Sequence, residues 1–99
     1  MPAYMIFTRF RTRDAAEMET YSRMAGATFA GRSMKPVALY GRCEVVEGPG
    51  AETVAILEFS TFAEAKAWYD SPAYKEARVH RFRGADYGVM IVEGPAPAR

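Results

Sequence analysis

The chain reads as an α+β protein of ferredoxin-like βαββαβ topology, with a four-stranded antiparallel sheet carrying helices on one face. Three observations predict it. Strand-like and helix-like segments follow one another in the order β-α-β-β-α-β. Two capping-box patterns, Asp14 with Glu17 and Thr61 with Glu64, mark where helices begin. The strand segments are apolar on both sides, as in Tyr4-Met5-Ile6-Phe7 and Val54-Ala55-Ile56-Leu57, so both faces of the sheet need a cover. Helices supply one cover. The expected second cover is another copy of the chain, a homodimer through the open sheet face.

Residues 3 to 11 are rich in aromatic and branched side chains and form the first strand. Tyr4, Ile6, Thr8 and Phe10 point one way; Met5, Phe7 and Arg9 point the other. Met18, Tyr21, Met24, Ala25, Thr28 and Phe29 then recur at helical spacing, which predicts a helix over 14–30 with Gly31 as its stop. Residues 31 to 36 read as a loop and Val37 to Glu47 as the second strand. Gly48-Pro49-Gly50 is a turn, and Thr53 to Phe59 alternates as the hairpin partner. Phe62, Ala65, Trp68 and Tyr69 form the buried face of the next helix. Asp70-Ser71-Pro72 breaks it; Ser71 caps a third helix with Pro72 at its first position. Tyr74, Ala77, Arg78 and Arg81 share one face of that helix. Asp86 to Glu93 is the last strand. Residues 1–94 therefore form a single domain, with 95–99 expected to be a flexible tail.

With 99 residues, 49% of them hydrophobic and 25% charged, the composition is that of one globular domain. A net charge of +1 gives no basic excess for nucleic acid. No apolar run approaches the ~18 to 20 residues of a membrane span. The start, Met1-Pro2-Ala3-Tyr4, has no basic n-region and is not read as a signal peptide. A lone cysteine, Cys43, fits a reducing cytoplasm, the expected location. By its place in the second strand it is expected to be a buried, inert thiol rather than a nucleophile.

The segment Trp68-Tyr69-Asp70-Ser71-Pro72-Ala73-Tyr74, with Arg78 and Arg81 downstream and Val92-Glu93-Gly94 at the end, resembles the family called domain of unknown function 1330. Pro2-Ala3-Tyr4 and Glu44-Val45-Val46-Glu47-Gly48 share the resemblance, which spans roughly residues 2 to 94. It implies a dimeric α/β barrel, a superfamily that includes small monooxygenases, dismutases, heme-handling enzymes and ligand-binding modules. It implies no settled reaction. Where the family often has a Gly-Gly pair after the first helix, this chain has Gly31-Arg32-Ser33-Met34-Lys35-Pro36.

The candidate catalytic residues are Arg78, Arg81, Tyr74 and His80. Two guanidinium groups beside a phenol are suited to clamping a carboxylate or phenolate. The competing reading is that the arginines pair with Glu44 or Glu58, or lie in solvent. His80, the sole histidine, falls off the arginine face by helical phase and is expected to point outward; its alternatives are general base or heme ligand. The candidate substrate-binding residues are Tyr21, Trp68, Tyr69 and Arg42. Their rings suit a pocket wall or a plain core. Arg42 and Glu44 share strand parity and read as a pair across the dimer seam or as a polar pocket floor. Arg9 and Glu58 are further strand charges that must pair or line a cavity. No ligand spacing for a metal occurs, and no cofactor motif is present.

The leading functional expectation is a homodimer that binds a small, partly aromatic organic acid or phenol between sheet and helices. A reaction there would be cofactor-free oxidation or isomerisation, with Arg78 or Arg81 stabilising an oxyanion and Tyr74 or His80 moving a proton. The alternatives are a non-catalytic dimerisation or accessory module and, more weakly, heme binding through His80.

Overall fold

The computed structural model describes residues 1–95. The chain builds β1 (Ala3–Thr12), α1 (Ala15–Ala27), β2 (Met34–Leu39), β3 (Thr53–Phe59), α2 (Phe62–Tyr69), α3 (Pro72–Gly84) and β4 (Ala85–Glu93). The four strands form one antiparallel sheet in the order β2-β3-β1-β4. This is the expected βαββαβ arrangement, and the expected helix break at Asp70-Ser71-Pro72 separates α2 from α3. The tail expected at 95–99 lies, from residue 96 on, outside the described residues.

Local chemistry places each helix. Asp14 accepts from the backbone N–H groups of Ala16 and Glu17 at the start of α1. Thr61 accepts from Glu64 at the start of α2, and Ser71 from Tyr74 at the start of α3, where Pro72 occupies the first turn. α1 is shorter than the 14–30 expected. It ends at Ala27, because Thr28 turns its hydroxyl back onto the Ala25 carbonyl at 2.6 Å. That hydroxyl also accepts from Trp68 Nε1, at 2.9 Å.

The second strand departs further from expectation. It runs over 34–39, not 37–47, and takes in part of the segment expected to be a loop. The reason is Tyr40, whose φ of 54° is left-handed; it is the one non-glycine with positive φ among the described residues. After a last backbone bond from Tyr40 to the Val54 carbonyl, the chain leaves the sheet. Residues 41–50 are all exposed and irregular. Arg42, Cys43 and Glu44 therefore stand on an exposed loop. The buried thiol and the shared strand parity of Arg42 and Glu44 are both corrected by this turn.

Period-two alternation sorts β1 as expected. Ala3, Met5 and Phe7 are buried beneath the helices, while Tyr4, Ile6 and Thr8 point to the other face. That open face continues through Val54, Ile56 and Glu58, which register pairs with Thr8, Ile6 and Tyr4, and through Met90 and Val92. Met90 and Val92 are exposed. Glu58 sits opposite Lys35 rather than any arginine.

α1 and α3 are joined at their ends. Gly84 O accepts from both Arg13 N and Asp14 N, and the Arg13 guanidinium donates to the carbonyls of Phe82, Arg83 and Ala85 while pairing with Asp86. A Cβ at Gly84 would meet Met18 Sδ at 2.8 Å and the Asp14 carbonyl at 3.2 Å. Gly84→Ala is therefore expected to cost ~1–3 kcal/mol in a urea unfolding titration, by forcing the two helices apart.

Candidate functional site

The core under the helices is aromatic. Phe7 meets Trp68, Tyr74 and Tyr87 edge-on, with centroids 6.2, 6.5 and 6.5 Å away. Trp68 and Tyr74 lie 4.1 Å apart, and Tyr69 packs on Tyr74 from the other side. These large rings hold α2 and α3 tightly on the sheet. α1 faces the sheet through Met18, Tyr21 and Ala25, and a cleft of about 370 Å³ remains between them and the sheet.

Met18, Tyr21 and Ala25 of α1 form one wall, and Phe7, Ala55 and Leu57 of the sheet form the opposite wall. Trp68 and Phe29 close the far end. Arg9 and Tyr40 line the polar end, and the exposed Ser22, Gly26 and Leu39 mark the mouth. A second cleft of about 280 Å³ lies under α2 against β4, lined by Tyr69, Phe62, Lys66, Met5, Val89 and Ile91.

Two hydroxyl pairs stand at the first cleft. Tyr21 and Tyr74 are bonded through their oxygens at 2.8 Å. Tyr87 donates to Tyr40 at 3.1 Å, which leaves the Tyr40 proton free to donate elsewhere. Burial pushes the phenols of Tyr21, Tyr40 and Tyr74 above their ordinary value, and the nearby Arg81 charge only partly opposes it. At neutral pH they are hydrogen-bond donors, not bases.

Arg9, placed on the helix-facing side by strand parity, is the arginine that lines this cleft. Its Nε donates to Glu52 at 2.9 Å, and its guanidinium lies 5.2 Å from the Tyr40 ring centre. Glu52 also accepts from the hydroxyl and the backbone N–H of Thr12, and these bonds, ahead of Arg9, hold its carboxyl below the usual range.

Arg81 is buried, at 3% exposure. It neither reaches solvent nor forms an ion pair with a carboxylate among the described residues. It is enclosed by the rings of Tyr87, Phe82 and Phe7, at 4.9, 5.0 and 5.8 Å, and donates to the Tyr69 hydroxyl at 3.3 Å. Burial favours its neutral form, but the oxygens of Tyr74, Tyr21 and Tyr69 outweigh that, so it stays cationic. Arg78 is half-buried, bonded to the Tyr69 carbonyl and stacked 4.4 Å over the Tyr69 ring. Neither arginine pairs with Glu44 or Glu58.

The sequence-derived candidates thus separate. Tyr21 and Trp68 line the main cleft. Tyr74 and Arg81 lie directly behind its wall. Tyr69 lines the second cleft. Arg42 is away from both, carried off with the loop that follows Tyr40. His80 is half-buried rather than pointing outward. Its Nδ1 is bonded to Glu17 of α1, and it lines neither cleft. Tyr40 and Arg9 complete the site; Tyr40 was missed because its left-handed turn leaves no mark in the residue pattern. No group of three or more His, Cys, Asp or Glu side chains among the described residues could hold a metal ion. No helix among them is long and apolar enough to cross a membrane.

Sheet order, helix layer and cleft together define a ferredoxin-like α+β domain. By its sequence the chain belongs to the family described as domain of unknown function (DUF1330), whose model matches residues 2–95. No curated protein matches the sequence. Among solved structures, a protein of unknown function from Rhodopseudomonas palustris superposes with a TM-score of 0.76 at 23% identity, over 97% of this chain and 84% of that one. A dimeric protein of unknown function and ferredoxin-like fold from Bacteroides fragilis superposes at 0.67 with 16% identity, over 94% and 96%. SnoaB, a cofactor-independent oxygenase from Streptomyces nogalater, superposes at 0.64 with 11% identity, over 98% and 97%. At these identities the likeness is one of fold.

The phenols generate a prediction with a definite sign. Their folded values lie above the unfolded value of 10.0, so the stability they confer is complete below pH 10 and declines as pH rises beyond it. In an alkaline titration followed by tyrosinate absorbance, three of the six tyrosines should ionise only together with loss of the far-ultraviolet signal. Six independent titrations in a folded protein would contradict the buried network.

Proposed function

We propose that the protein is a homodimer that binds a small, partly aromatic organic acid or phenol in the cleft between α1 and the sheet. The observation that carries this reading is the cleft: about 370 Å³, lined mainly by apolar side chains, with Tyr21, Tyr40 and Arg9 among its walls. That volume lies at the lower end of the range of small-ligand pockets, ~300–1,000 Å³. Ring-lined walls suit an aromatic body, and donors without a base suit a negatively charged or electron-rich oxygen.

Chemistry in this cleft would be cofactor-free oxidation or isomerisation. Tyr21 and Tyr40 would donate to the oxygen of an enolate or phenolate that enters already ionised, with dioxygen as the electron acceptor where the reaction is an oxidation. This relocates the anion-stabilising role first expected of Arg78 or Arg81. The cofactor-independent oxygenase of the same fold offers a precedent for such chemistry on this scaffold. A cleft of this size weighs against an accessory module whose sheet serves dimerisation alone.

Ligand binding is tested by thermal shift against benzoates, phenols and quinones. A ligand present at 100 times its Kd adds ~2.7 kcal/mol and raises the melting temperature visibly. Gly26, at the mouth, has nothing within 4 Å of a Cβ built on it, so Gly26→Phe is accommodated and blocks entry. The shift should vanish in that variant with its own stability intact; a blank panel, or a shift untouched by Gly26→Phe, rejects the cleft as the site.

The dimer reading rests on the open sheet face, where Ile6, Ile56, Met90 and Val92 form an apolar surface without a helix over it. A protein of the same fold is dimeric. Light scattering should give twice the chain mass for the wild type and a single chain mass for Ile56→Glu. A wild-type monomer at micromolar concentration removes this part of the reading.

A further inference from the structure

Arg81 is the costliest residue in the core to explain. It is 97% buried, its Nε has no hydrogen-bond partner, and no carboxylate neutralises it among the described residues. Removing an unpaired cation from water is unfavourable, and an apolar side chain of similar volume would fill the same space more cheaply. Contacts with the Phe7, Phe82 and Tyr87 rings recover part of the loss. They do not explain why a charge stands there.

Its position relative to the cleft does. Each of the two cleft phenols is backed by a second tyrosine, Tyr21 by Tyr74 and Tyr40 by Tyr87. Arg81 lies 4.9 Å from the Tyr87 ring centre and donates to Tyr69, which packs on Tyr74; its charge opposes the upward push of burial on the Tyr74 phenol. A cation beside Tyr74 draws electron density toward that oxygen, so Tyr74 is the better donor and Tyr21 the acceptor of their bond. The Tyr21 proton is then left for the cleft. Tyr40 likewise accepts from Tyr87 and keeps its own proton free. Arg9, the other cation at the cleft, is matched by Glu52 at 2.9 Å and adds little net charge.

We propose that Arg81 is the positioning residue that makes the cleft select anions: held behind the wall, it polarises the Tyr74–Tyr21 and Tyr87–Tyr40 pairs so that both cleft hydroxyls present protons to a carboxylate or phenolate oxygen. This rests on the reading that the cleft takes a small aromatic acid or phenol. It specifies that the bound form is the anion.

The test uses the whole chain and two probes of nearly equal shape, benzoate and benzamide, in calorimetric titrations at neutral pH. Wild-type protein should prefer benzoate by about tenfold or more, the scale of one charge acting across a protein interior. Arg81→Met should bring the two affinities within about twofold of each other, with benzoate losing far more than benzamide. A loss of packing alone would weaken both probes together. If Arg81→Met does not fold, Tyr74→Phe combined with Tyr87→Phe removes both links and should abolish the preference in the same way. Equal binding of the two probes by the wild type overturns anion selection and leaves the cleft reading standing. A folded Arg81→Met, or the folded double variant, that still prefers benzoate overturns the role of Arg81. Failure of both probes to bind the wild type overturns the cleft reading and this inference with it.

Discussion

Phe7 is the point on which the structure turns. It sits in the central part of β1, the strand hydrogen-bonded on both edges, and it contacts Trp68 of α2, Tyr74 of α3 and Tyr87 of β4. One edge-to-face cluster therefore docks two helices onto the sheet and sets the depth at which they lie. The cluster packs against Trp68 of α2 and Tyr74 of α3, and a cleft is left under α1, between Met18, Tyr21 and Ala25 and the sheet. The cleft follows from where the rings are, not from a separate pocket-forming device.

The same cluster explains how a cation can sit inside it. The guanidinium of Arg81 is flat and weakly hydrated, and it stacks on ring faces where an ammonium would not. Three rings and a phenol oxygen enclose it. Its charge is offset locally by quadrupoles and hydroxyl dipoles rather than by a carboxylate. Tyr21, Tyr40 and Tyr74 stay protonated because burial outweighs that charge, so the site consists of neutral donors held in a positive field. At neutral pH these groups can donate hydrogen bonds but cannot abstract a proton.

The two faces of the sheet divide the work. The helix-facing side holds the cleft and the aromatic cluster; the opposite side presents Ile6, Ile56, Met90 and Val92. Strand alternation alone makes this division, since Phe7 and Arg9 face the cleft side while their neighbours Ile6 and Thr8 face the other. A one-residue slip of β1 would carry Phe7 out of the core and remove Arg9 from the cleft in the same step.

Much of this was legible in the residue pattern. The capping residues Asp14, Thr61 and Ser71 placed three helix starts, because a helix terminus is satisfied by groups one turn away. Alternation along β1 and β3 announced the two-sided sheet. Helical spacing put Tyr74, Ala77 and Arg81 on one face, as α3 has them. What the pattern could not carry was anything settled by partners distant along the chain. The β2 segment looked like a strand as far as Glu47, but the left-handed turn at Tyr40, anchored by Tyr87 across 47 residues and by Val54, ended it at Leu39 and took Arg42, Cys43 and Glu44 into solvent. The environment of Arg81 was equally hidden. Spacing identified a face, but whether that face met carboxylates, water or rings depended on how β1, β4 and α2 closed around it. Periodicity reports which side of an element is buried; the identity of what buries it comes from long-range packing, and in this protein that packing sets the chemistry of the cleft.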